Sequence, residues 1–117
     1  MKAIDYLAQG LTASEIVKKL GISKQAVYQQ LRKLEIPVSK IWTQEERRLY
    51  FFIRDYKKKI KRYPYNGEMA LSLLTTTSNI SRLIKSLSEK GYILRSWGKI
   101  LNLIDHRMIW KHNGFGG

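Results

Sequence analysis

The sequence predicts a mainly α-helical protein with one small β-hairpin near its C-terminal end. Three observations predict this. Apolar residues recur at three- and four-residue spacing in separate stretches, the period of a half-buried helix. Residues that start and stop helices bound these stretches: Thr12 and Ser23 precede two of them, and Gly10, Gly21 and Gly91 follow three. After Gly91 the pattern changes to two short apolar runs, 92–96 and 99–103, around Trp97-Gly98.

Composition narrows the class. At 117 residues the chain has room for one ordinary domain or two very small ones, and its 11 % aromatic content argues against disorder. Lys and Arg number 22 against 9 Asp and Glu, a net charge of +13. The excess is +4 over residues 1–40, +5 over 41–64 and +4 over 65–117, so it is not a basic tail on a neutral body. Such a field favours a polyanionic partner and salt-sensitive association. The absence of cysteine removes disulfides, thiol catalysis and Cys-based zinc sites. No apolar run approaches the roughly 18 residues of a membrane span, and the N-terminus lacks a signal-peptide core, so a cytoplasmic location is expected.

Residues 1–9 predict a short helix with Ile4, Leu7 and Ala8 inward, Tyr6 beside them, and Gly10 at its end. Thr12-Ala13-Ser14-Glu15 is a capping box: the Thr12 hydroxyl accepts from the Glu15 N–H while the Glu15 carboxylate reaches back. The helix it starts runs to Leu20 and buries Ile16, Val17 and Leu20. Gly21 supplies the left-handed residue that a tight turn between two helices needs. Ile22 fills the angle, and Ser23 caps a third helix with Val27, Leu31 and Leu34 inward. Its outer face carries Lys24, Gln25, Tyr28, Gln29, Arg32 and Lys33. Pro37 then breaks the helix and biases Ile36 to an extended conformation, so a linker is expected to follow over 37–42.

The stretch from Gly10 to Leu34 resembles bacterial helix-turn-helix domains in the spacing of Gly21, Ser23, Val27 and Leu31. The resemblance implies a tri-helical unit over residues 1–36 that sets its third helix in the major groove of DNA. Ser23, Lys24, Gln25, Tyr28, Gln29, Arg32 and Lys33 would then face DNA. Gln25 and Gln29 suit bidentate contacts to adenine, and Arg32 suits guanine or phosphate. An ordinary three-helix bundle with a polar face is the bland alternative.

Trp42 precedes a second capping box, Thr43-Gln44-Glu45-Glu46, and is placed to staple onto the first turn of the helix that follows. That helix is the longest, running from Thr43 to about Arg62 with Leu49, Phe52, Ile53, Tyr56 and Ile60 on one face. Tyr50 and Phe51 lie off the stripe; a wide buried face explains them most simply, and contact with another unit is the alternative. The end reads K-K-K-I-K-R (57–62). Cations suit the negative end of a helix dipole, but five in six residues exceed that need. Lys57, Lys58 and Lys61 are therefore candidates for phosphate contact.

Residues 63–67 predict a turn, and Glu68 to about Leu73 a short helix with Met69, Ala70 and Leu73 inward. After a Thr75-Thr76-Thr77 turn comes a helix from Thr76 or Ser78 to Lys90, with Ile80, Leu83, Ile84 and Leu87 on its apolar face. Thr77, Ser78, Asn79, Ser81, Arg82, Lys85 and Ser86 are offered outward. The hairpin after Gly91 carries Arg95 and Lys99, suited to phosphate or the minor groove. Residues 104–110 are apolar enough to pack on the long helix or another chain, and the Gly-rich 113–117 suggests a mobile tail.

Residues 43–103 are similar to the winged-helix domains of MarR-type regulators and of the LexA N-terminal domain, on the long first helix, the Tyr63-Pro64 turn, S-N-I-S-R-L-I-K-S-L-S-E-K-G-Y-I (78–93) and the hairpin. The resemblance implies a winged helix-turn-helix over 43–112. The segment M-A-L-S-L-L-T-T-T (69–77) departs from it by lacking the usual turn glycine, so an unusual turn geometry is expected. LexA-like self-cleavage is not expected at this length, and helices like those through which MarR-type proteins dimerise are not seen. The two outward-facing helices also resemble each other: Ser23, Val27, Leu31, Arg32 and Leu34 align with Thr76, Ile80, Ile84, Lys85 and Leu87, 53 positions apart. The fold expected is thus a tandem helix-turn-helix plus winged helix-turn-helix, acting as a monomer with two reading heads or as a homodimer.

A catalytic site is not expected. His106 and His112 stand six apart with only Asp105 near, there is no Gly-rich phosphate loop, no H-E-x-x-H and no carboxylate pair, and a tyrosine recombinase would need a larger catalytic domain. No cofactor or metal is expected. The function expected is a sequence-specific double-stranded-DNA-binding transcriptional regulator, nucleoid-associated when bound. Small size and basic charge fit a repressor from a phage or other mobile element. The alternative is a replication initiator, excisionase, architectural factor or transposase-type module that recruits an enzyme, with a replication, recombination or transcription protein as partner. RNA or protein binding is a third use of such folds.

Overall fold

The computed structural model describes residues 2–36, 38–96 and 99–110. Expectations for Pro37, the Trp97-Gly98 turn, His112 and the 113–117 tail lie outside these. The described residues form α1 (Ala3–Ala8), α2 (Ala13–Leu20), α3 (Lys24–Lys33), a 3-10 turn (Val38–Lys40), α4 (Gln44–Ile60), α5 (Asn66–Ser72), α6 (Thr77–Glu89), strands β1 (Ile93–Ser96) and β2 (Lys99–Leu103), and α7 (His106–Trp110). The fold is therefore mainly helical with one antiparallel hairpin. No helix among them is long and apolar enough to cross a membrane. The chain divides into two units: Gln44–Leu103 is one, and the described residues up to Thr43 with those from Ile104 onward are the other.

In the first unit α1, α2 and α3 pack on one another around Ala3, Leu7, Ile16, Val27 and Leu31, all buried. The capping box forms as its chemistry dictates: Thr12 N–H donates to Glu15 Oε1 at 2.8 Å and Glu15 N–H to Thr12 Oγ1 at 3.4 Å. Ile4, Ala8, Val17 and Leu20 are only half-buried, and Ala3 takes the inward place instead. Gly21 adopts φ +67, the left-handed turn its position required.

Three expectations for this unit are corrected. Leu34 is 46 % exposed, because α3 stops at Lys33 and Glu35 turns left-handed (φ +59). The Ile36 N–H then donates to Leu31 O at 2.9 Å, and Ile36 is buried where Leu34 was expected. Ile41 and Trp42, read as part of a linker, are also buried. Trp42 Nε1–H donates to Gly10 O at 3.0 Å and its ring stacks on His106 at 5.5 Å. Finally, within residues 104–110, expected to pack on the long helix or another chain, His106–Trp110 form α7 and pack on α1.

In the second unit α4 buries Leu49, Tyr50 and Ile53, while Phe52 and Tyr56 are half-buried and Ile60 is 52 % exposed. The buried face is thus wide, and Tyr50 meets Tyr92 edge-on at 6.2 Å. The α4 helix ends two residues early, at Ile60, with Lys61 left-handed at φ +69. Glu46, on its first turn, is 2 % exposed; its carboxylate accepts from Ser86 Oγ at 2.8 Å and Lys90 Nζ at 2.7 Å, tying α4 to α6. The buried Ile80, Leu83, Ile84 and Leu87 face of α6 forms the centre of the core, each side chain contributing about 1.5–3 kcal/mol. After Gly91 the hairpin pairs Ile93 with Leu103 and Ser96 with Lys99, with a register shift between Leu94 and Arg95.

The turn between α5 and α6 also carries a left-handed residue, as the turn at Gly21 does, but here it is a leucine. Leu74 has φ +55, and Thr75 N–H donates to Ala70 O at 2.9 Å. The turn also closes differently: Leu74 N–H donates three residues back, to Leu71 O at 3.3 Å, where Gly21 N–H donates four back, to Val17 O at 2.9 Å, and the missing glycine leaves a strained residue in it.

The two units share one internal plan, offset by 53 positions. Glu15 and Glu68 each accept from the backbone N–H three residues earlier, at 2.8 and 2.9 Å. Ile16 and Met69 are buried, Gly21 and Leu74 turn left-handed, and Ser23 and Thr76 cap the next helix at 3.1 Å each. Val27 matches Ile80 and Leu31 matches Ile84, all buried. The likeness ends at Leu34, exposed, against Leu87, buried, because α6 runs on for a further turn.

Candidate nucleic-acid interface

On α3 the apolar spacing commits Val27 and Leu31 to the core, which leaves the opposite face to solvent. Gln25, Tyr28, Gln29 and Arg32 line one shallow concavity there. Lys24 Nζ lies 5.7 Å from the Tyr28 ring centroid, and Ser23 sits at the N-cap with its Oγ accepting from Ala26 N–H. Lys33, in the last turn, is exposed. The structure therefore brings Gln25, Tyr28, Gln29 and Arg32 together on one face of α3, with Lys24 beside Tyr28, Ser23 at the cap and Lys33 at the far end.

The face of α6 is more ordered. Thr77, Ser78, Ser81, Arg82 and Lys85 are exposed. Asn79 is half-buried and its amide is committed: Nδ2 donates to Thr75 Oγ1 at 2.9 Å and to Glu45 Oε2 at 3.4 Å, and Oδ1 accepts from Arg82 Nη2 at 2.5 Å and Nε at 3.2 Å. Asn79 is thus a support for Arg82, not a free base-reading amide. Ser86 is likewise turned to the core side, donating to Glu46. Ser81 Oγ accepts from Asn66 Nδ2 at 3.3 Å, which links the start of α5 to this face.

The remaining cations are scattered by the fold. Lys57 Nζ lies 4.9 Å from the Tyr63 ring centroid, and Lys58 and Lys61 are exposed at the end of α4. Lys61 is out of the helix, so the basic run does not continue along one face. Arg95 and Lys99 are both exposed on the hairpin, yet Lys99 pairs with Ser96. Successive strand residues face opposite ways, so Arg95 and Lys99 lie on opposite sides of the ribbon.

A second constellation escaped sequence reading. Arg62 Nη1 and Nη2 donate to Glu68 Oε1 and Oε2 at 2.9 and 3.2 Å, and the guanidinium lies 4.6 Å from the Tyr65 ring centroid and 5.3 Å from that of Tyr56. Tyr56 Oη donates to Glu68 as well. The Arg62 and Tyr56 hydrogen bonds and the Tyr65 N–H hold the Glu68 carboxyl down at about 2. The signal was the tyrosine at a cap position, 53 residues after Thr12, where such a ring has no capping chemistry.

No protein-family model, curated protein or solved structure matches this chain.

Proposed function

We propose that the chain binds double-stranded DNA sequence-specifically through two helix-turn-helix units and acts as a transcriptional regulator of the repressor type. One observation carries this reading: the same cap, left-handed turn and half-buried helix occur twice, and both times the helix after the turn shows solvent a polar, cation-bearing face. Gln25, Tyr28, Gln29 and Arg32 on α3 correspond by the same offset to Ser78, Ser81, Arg82 and Lys85 on α6.

The chemistry of the two faces suits a division of labour. Gln and Arg side chains form bidentate pairs with adenine and guanine edges. Lys24, Lys33, Lys57, Lys58, Lys61, Lys85 and Lys99 are exposed cations of the kind that neutralise phosphates without reading sequence. A net charge of +13 supplies the long-range attraction. Two reading heads in one chain remove the need for a dimer to contact two half-sites.

Selection of bound sites from a random duplex pool, at near-physiological salt, tests the reading. A long bipartite consensus supports two sequence-reading units. Absence of any enriched sequence, with binding that only fades as salt rises, overturns it. A promoter occupied without a helicase or recombinase partner then separates a regulator from a recruiting module.

A further inference from the structure

A cleft of about 460 Å³ opens between residues 62–66 and the start of β2, lined by Arg62, Tyr63, Tyr65, Asn66 and Lys99. Its volume lies within the span of about 300–1,000 Å³ usual for small-ligand sites. Tyr65 is its most unusual wall. The ring is 68 % exposed, although the residue is the N-cap of α5 and makes no side-chain cap bond. The matching position in the first unit is Thr12, which is buried and does cap. The second unit has given up a capping hydroxyl at this place and shows water an aromatic ring.

That ring is held firmly. The Arg62 guanidinium covers part of it at 4.6 Å, and Glu68 locks the guanidinium with two hydrogen bonds and accepts from the Tyr65 N–H at 2.9 Å. Such a pre-ordered aromatic surface loses little entropy when a planar group settles on it. Lys99 places a cation on the facing wall, and the Asn66 amide reaches Ser81 on the outward face of α6. Stacking surface, cation and amide are what a nucleotide outside the double helix requires: ring to ring, ammonium to phosphate, amide to base edge.

We propose that this cleft takes a single unpaired nucleotide, its base stacked on Tyr65, so that the protein favours duplex DNA carrying an extrahelical base over fully paired duplex. The inference rests on the DNA-binding reading for the path of the flanking duplex, and the two fail differently.

The test uses the full chain and two duplexes that differ only in whether one 2-aminopurine is paired or bulged. The expected result is binding to the bulged duplex tighter by on the order of tenfold, with quenching of the probe. Tyr65→Ala should abolish the preference and the quenching while leaving paired-duplex affinity unchanged; Tyr65→Trp should keep both. Equal wild-type affinity for the two duplexes, or a preference that survives Tyr65→Ala, overturns the proposal and leaves duplex binding standing. Tyr65-dependent quenching of a single strand without any binding to paired duplex keeps the base site and removes the duplex reading.

Discussion

Asn79 Oδ1 accepts two hydrogen bonds from Arg82, from Nη2 at 2.5 Å and Nε at 3.2 Å, while its own amide is anchored to Thr75 and Glu45. The guanidinium is therefore oriented before any partner arrives, and Nη1 has no hydrogen bond to this support. On the DNA-binding reading, Arg82→Ala should cost about 1–3 kcal/mol on the selected site and relax specificity at one base step. Asn79→Ala should keep the base preference and lose part of the affinity. Competition binding on single-base variants of the site measures both; equal loss on specific and random DNA for Arg82→Ala would remove its base-reading role.

Lys58 and Gln29 should behave oppositely. Lys58→Ala should weaken binding to all sequences alike and flatten the salt slope by roughly one. Gln29→Ala should leave the salt slope unchanged and cost about 1–3 kcal/mol at one position. Titrations at several salt concentrations distinguish the two.

The left-handed Leu74 predicts a gain in stability from a single substitution. Leu74→Gly relieves about 1–2 kcal/mol of backbone strain and adds about 0.5–1 kcal/mol of unfolded-state entropy, for a net gain of about 0.5–1 kcal/mol. Gly21→Leu, at the matching turn, should lose stability. Denaturant midpoints with unchanged slope are the readout.

Glu46 is the buried anion between α4 and α6, and Lys90, its partner, has a side chain only 18 % exposed. Glu46→Ala removes the buried carboxylate to which Ser86 and Lys90 both donate and should destabilise the second unit by about 3 kcal/mol. Glu45→Ala, one residue earlier and exposed, should be nearly neutral in stability. Thermal unfolding of the two variants gives the comparison.

The Glu68 carboxyl sits well below its ordinary 4.5, at about 2, first because of the Arg62 hydrogen bonds and then that from Tyr56. A depressed folded-state value stabilises above the unfolded value and loses its effect as pH falls toward the folded one. The stability contributed by the Arg62–Glu68–Tyr56 cluster should therefore be full at pH 5 and be lost as pH falls from about 4.5 to 2, the cluster itself dispersing only near 2. Carboxyl NMR titration should place Glu68 near 2, and Arg62→Gln should move it up toward 4.5.

Much of this architecture follows from chemistry local to the chain. Cap residues Thr12, Ser23 and Thr76, the turn at Gly21, and the apolar faces of α3 and α6 depend on neighbours three and four residues away, so sequence spacing expresses them directly. The outward faces follow as the remainder of the same arithmetic, which is why Gln25, Gln29, Arg32, Arg82 and Lys85 fall where they were expected. Tertiary structure decided everything that joins distant residues. It set Trp42 beneath Gly10 and His106, 32 positions from the carbonyl it binds and 64 from the ring it meets. It turned Ser86 toward a carboxylate 40 residues away, and gathered Arg62, Tyr65 and Lys99 around one cleft, with Glu68 holding Arg62. Hydrophobic periodicity reports which face of a helix is buried and carries no information about which element buries it. Long-range partners come from three-dimensional packing, and only there does an exposed tyrosine at a capping position become a surface beside a cation.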